Sequence, residues 1–260
     1  MDPSSPIFAG FVASLIAGLG TGLGAVPIFL RAQWSKDAQR LMFAVAGGMM
    51  LGATFFSLLQ PALALVVARG GSSGDSVVVV SLGMLLGAVG LWGAHATVPH
   101  EHFSKGREGR SALYLGRHTL FVLAIVLHNF PEGLSVGVAY GDGVTVTGHA
   151  VMLSILAQNL PEGLAVAAAL MADGMSRGRS FLIALATGLV EPIGGLVGAV
   201  AVGASEALLP WGLAIAAGAM LFVVSGEVIP ETHVHGRERS ATFAIIVGFI
   251  AMMALAELLG

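Results

Sequence analysis

The chain of 260 residues has no cysteine. That excludes disulfides and thiolate metal sites, and it leaves the redox compartment unmarked. Charge is almost as scarce. Asp, Glu, Lys and Arg make up 10% of the residues, against roughly 25% in a soluble domain. So few charges cannot cover a water-facing surface, and the class that fits is an integral membrane protein. The Lys and Arg residues are scattered through short loops, so there is no basic patch for nucleic acid. No HExxH sequence occurs, and an intramembrane metallohydrolase would lack its helical ligand pair and base. The N-terminal residues carry neither the basic region nor the cleavage site of a signal peptide. The first apolar run is therefore expected to be a retained membrane helix.

What the chain does have is apolar length and small residues. Hydrophobic residues make up 56%, glycine occurs 37 times, and the mean hydropathy is +0.88. Small residues suit close helix contact in lipid, where packing rather than the hydrophobic effect drives association. A bilayer-spanning helix needs about 20 apolar residues. Eight runs meet that length, over 7–30, 41–68, 77–97, 119–141, 148–172, 181–203, 208–230 and 241–260. No soluble domain fits between them, so residues 1–260 are expected to form one membrane domain. Eleven of the twelve Lys and Arg residues fall in the loops 1–2, 3–4, 5–6 and 7–8, and only Arg69 falls on the other side. The positive-inside rule then places both termini outside the cytoplasm. The glycine-rich "GLGTGLGA", Gly18 to Ala25, lies in an apolar helix rather than between a strand and a helix, so it is read as a packing face.

Against this apolar background, spans four and five repeat one polar phrase: "LHNFPEGLSVGVA" from Leu127 and "AQNLPEGLAVAAA" from Ala157. Both fall near the middle of their spans. Span six adds Glu191, in "VEPIGG", at the same depth. An ionised, unpaired carboxylate at the bilayer centre costs at least a few kcal/mol. No Lys or Arg shares the layer, so Glu132, Glu162 and Glu191 must be protonated, hydrated or neutralised by a cation. A cation best explains the residues around them. His128 and Glu132 share one helix face at i, i+4, and Gln158 and Glu162 repeat that spacing. Asn129 and Asn159 sit about 100° further round. Each Glu lies between its His or Gln and its Asn, and can serve two adjacent positions. Pro131 and Pro161 are expected to distort their helices, and Gly133 and Gly163 to admit a neighbouring one. Imidazole with carboxylate and amide oxygens favours a divalent first-row metal.

Outside the repeat, His95 and His149 read as structural. The cytoplasmic "PHEH" (His100, His102) and "ETHVH" (Glu231, His233, His235), with Glu227, read as candidates for catching metal on exit.

On these motifs, "HNFPEG", "QNLPEG", "GLVEPIGG" and "FVVSGEVIPETH", the whole chain resembles the ZIP (Zrt-, Irt-like protein) family of divalent metal transporters, bacterial type. The resemblance implies an all-α fold of eight membrane helices in two bundles, spans 1/4/5/6 and 2/3/7/8. It implies zinc as the transported ion, with Cd²⁺, Fe²⁺, Mn²⁺, Ni²⁺ and Co²⁺ as alternatives. It implies a multi-pass protein of the bacterial inner membrane, an elevator-type motion and a homodimer. By the same resemblance, one metal is held by His128, Glu132, Gln158 and Glu162, with Met50 from span two. A second is held by Asn129, Asn159 and Glu191, with Glu132 and Glu162 bridging. Some bacterial relatives have Asp where this chain has Asn159, so the second position here is one negative charge weaker.

Overall fold

A computed structural model describes residues 5–31, 34–102, 106–108, 117–234, 236 and 238–259. Eight helical segments long and apolar enough to cross a membrane run through it: Pro6–Phe29, Lys36–Ala68, Ser73–Thr97, Thr119–Tyr140, Val146–Ala172, Arg177–Ala204, Leu208–Thr232 and Glu238–Leu258. They match the eight expected spans in number and order. Local capping explains several starts. Ser5 accepts from the Phe8 N–H ahead of Pro6, and Thr145 accepts from the Gly148 N–H at 2.9 Å. Ser72 and Asp75 cap each other reciprocally at the head of span three. Among the described residues, the remaining regular structure is an antiparallel pair of three-residue strands, His100–His102 and Gly106–Glu108, in the loop between spans three and four.

The helices sort into two bundles. Spans one, four, five and six pack on one another, as do two, three, seven and eight, and the main contacts across the seam join span two to five and span four to seven. Spans three and eight are mostly uncovered, with Val78, Leu85, Trp92, Phe243 and Val247 facing outward as lipid-facing residues do. "GLGTGLGA" lies within the helix Pro6–Ala25, where Gly18 packs on Gly188 and Gly24 on Leu160, so the packing reading holds.

Helix irregularities fall elsewhere than expected. Both motif helices, Arg117–Tyr140 and Val146–Ala172, run on as α-helix through Pro131 and Pro161. The ladder instead widens to π-helix in span two, Ala53–Leu59, and in span seven, Val224–Val228. Each π segment ends two residues before a proline, Pro61 or Pro230, whose missing N–H and ring crowd the turn before it. Span six is broken outright. Arg177–Gly188 ends, Leu189 and Val190 turn, and a new helix starts at Glu191 with Pro192 in its first turn, where a missing N–H is tolerated.

Candidate metal site

The two motif copies meet at the centre of the spans-one, four, five, six bundle. Their glycines set how closely. A Cβ on Gly133 would run into the backbone of Glu191, and one on Gly163 into the backbone of Thr21. Span four therefore lies directly on the start of the Glu191 helix, and span five directly on span one. Backbone contact at these points holds the neighbouring Glu132 and Glu162 within the protein interior.

Every residue expected to hold metal is buried: His128, Asn129, Glu132, Gln158, Asn159, Glu162, Glu191 and, from span two, Met50. Burial without partners is what sets the group apart. Both carboxylate oxygens of Glu162, one each of Glu132 and Glu191, both polar atoms of Asn129 and Gln158, Nδ1 of His128 and Oδ1 of Asn159 have no hydrogen-bond partner. Leaving a buried polar group unpaired costs about 1–3 kcal/mol, more if charged. A concentration of such atoms in one place signals a ligand that satisfies them. Most are oxygen acceptors, and the imidazole offers a nitrogen lone pair, a donor set of the kind that suits a cation. Among the described residues, no three His, Cys, Asp or Glu side chains converge to hold a metal by themselves. The amide oxygens are needed to complete a coordination shell.

Three members of the set, His128, Asn159 and Glu191, are already engaged. His128 Nε2 pairs with Glu227 Oε2 at 2.6 Å, and the other Glu227 oxygen pairs with His95 Nδ1 at 2.8 Å. The His95 ring packs against His100 with centroids 4.7 Å apart, and His100 Nδ1 is 2.8 Å from the Val98 carbonyl. A buried polar line thus leads from the motif through Glu227 and His95 to His100, just past the C-terminal end of span three. The second engaged residue is Asn159. Its Nδ2 donates to the Ala17 carbonyl at 2.8 Å and to Glu191 Oε1 at 2.6 Å.

Of the other exit candidates, Glu231 and His233 are half-buried at the C-terminal end of span seven, and His233 Nε2 is 2.9 Å from the Thr242 hydroxyl. His235 lies outside the described residues, and of His102 only the backbone is described. His95 is a correction, because it joins the polar line instead of serving only as packing. The available signal was an imidazole within an apolar helix, five residues before "HEH". His149 is exposed and bonds locally to the Thr145 carbonyl, in keeping with the structural reading.

Comparison with known proteins agrees with this geometry. The family described as ZIP Zinc transporter matches residues 94–256, more than half of the chain. The chain belongs to the ZIP family. Zinc transporter GufA of Myxococcus xanthus is 47% identical over 252 residues, covering 97% of this chain and 99% of that protein. Zinc transporter ZIPB of Bordetella bronchiseptica is 43% identical, covering 97% and 79%. Zinc transporter ZupT of Corynebacterium efficiens is 35% identical, covering 100% and 99%. The family is one of transporters rather than of enzymes.

Proposed function

We propose that this ZIP protein imports divalent transition-metal ions, zinc above all, across the cytoplasmic membrane. The observation that carries the proposal is the cluster of buried, unpartnered oxygen and nitrogen atoms from two copies of one motif, at mid-membrane, in a chain similar to named zinc transporters. Residues 1–260 act as one membrane unit with both termini outside, and the eleven basic loop residues face the cytoplasm.

The ion enters from outside and is held by Glu132, Glu162, Gln158 and His128, with the Met50 thioether to one side. Two carboxylates cancel a divalent charge, which matters in a medium of low dielectric constant. Glu227 fixes His128 by taking its Nε2–H, which leaves the Nδ1 lone pair for the metal. This is the carboxylate–histidine–metal arrangement that orients metal-binding imidazoles. Cd²⁺, Fe²⁺, Mn²⁺, Ni²⁺ and Co²⁺ are alternatives, because the same donors suit several divalent ions.

Release runs along the polar line toward the cytoplasm. Glu227 is the next carboxylate after His128, followed by His95 and His100, with Glu231 and His233 at the end of span seven. The two-bundle packing suits an elevator motion, in which the bundle carrying the motif slides against spans two, three, seven and eight. The uncovered face of span three is where a homodimer would pair.

Zinc uptake into proteoliposomes tests the assignment. Glu162→Gln should lower saturable uptake more than the 10–100-fold loss typical of residues that merely support a ligand. Uptake at the wild-type rate in that variant would falsify the site.

A further inference from the structure

We infer that this chain carries one metal ion at a time, because the amide of Asn159 occupies the place of a second cation beside Glu191. The inference rests on the reading of the His128, Glu132, Gln158 and Glu162 group as the transport site.

The Ala17 carbonyl can only accept a hydrogen bond, so the Asn159 atom 2.8 Å from it must be the amide nitrogen. The same nitrogen is 2.6 Å from Glu191 Oε1. Both of its hydrogens are therefore committed, one to span one and one to span six. The amide oxygen faces away from that carboxylate oxygen. For Asn159 and Glu191 Oε1 to grip one ion together, the amide would have to turn over. Its oxygen would then meet the Ala17 carbonyl, acceptor against acceptor, in a wholly buried position. The Gly163–Thr21 backbone contact keeps spans one and five close at this point, so the two oxygens cannot easily move apart.

An Asp at 159 would reverse the argument. It would place a carboxylate against Glu191 and the Ala17 carbonyl, a contact that requires a cation between them.

The test counts zinc on the purified full-length protein at saturating Zn²⁺, using elemental mass spectrometry, with and without Glu162→Gln. Zinc on exposed loop histidines cancels in the difference. Glu162→Gln should remove one ion per chain from the wild-type sequence and two from the Asn159→Asp variant. Loss of two ions from the wild-type sequence, or of only one from Asn159→Asp, would overturn the inference. If Asn159→Asp does not fold, the wild-type difference still decides between one ion and two. No loss from the wild-type sequence would remove the transport-site reading itself, and the inference with it.

Discussion

The two copies of the motif are nearly identical in sequence and unlike in use. In the first, His128 pairs with Glu227 on the opposite bundle, while Asn129 has no partner. In the second, Gln158 has no partner, while Asn159 bonds to Ala17 and Glu191 within its own bundle. Each motif span also has one buried polar bond across the seam. Span four uses His128–Glu227, and span five uses Ser154–Ser57 at 2.9 Å, to the π-helical part of span two. One bond joins ionisable groups and the other joins neutral hydroxyls. The difference shows that a repeated motif can be split between tasks. The first copy bonds across the seam to the other bundle, and the second bonds within its own bundle.

That contrast can be erased residue by residue. His128→Gln makes the two copies alike. It should cost more zinc affinity than the 10–100-fold typical of a supporting residue. It should also flatten the pH dependence. As pH falls, protons compete for His128 and the carboxylates and zinc binding weakens, so wild-type affinity should drop more steeply than the variant's between about pH 7.5 and pH 5.5. Calorimetric titration at several pH values checks both. A variant with the wild-type pH slope would mean that His128 is not a ligand.

Gly133→Ala and Gly163→Ala test whether the two copies share the same packing demand. Each places a methyl group against backbone that has no flexible end to yield. Overpacking of this kind costs about 1–3 kcal/mol. Thermal unfolding in detergent should show similar losses for the two, and a tolerated alanine at either position would contradict the close backbone contact.

The smallest effect is expected at the neutral bridge. Ser57→Ala removes a hydroxyl bond of the kind worth about 0.6 kcal/mol inside a membrane protein. Combined with Ser154→Ala in a double-mutant cycle, it should show a coupling of that size with unchanged zinc affinity. A large drop in affinity would make the bridge part of the site.

Much of the architecture was legible in the sequence, and for physical reasons. Lipid leaves the backbone no water to bond to, so apolar length alone fixes how many helices cross and where. The doubled His/Gln–Asn–Pro–Glu–Gly phrase marks its own burial, because carboxylates in the middle of an apolar helix have no other explanation at such density. The helical period places His128 with Glu132 and Gln158 with Glu162.

Contacts between distant residues were not legible. His95 and Glu227 are 132 positions apart, and no local period links them. They meet because spans three and seven pack side by side. The widening of spans two and seven before Pro61 and Pro230, and the unbroken course through Pro131 and Pro161, depend on whether neighbouring helices support the interrupted ladder. The direction of the Asn159 amide is the clearest case. The sequence determined that an amide sits in the charged layer and is one charge short of a carboxylate. Only the tertiary structure decided which end of it faces Glu191, because a carbonyl of span one, which can only accept, holds the nitrogen in place.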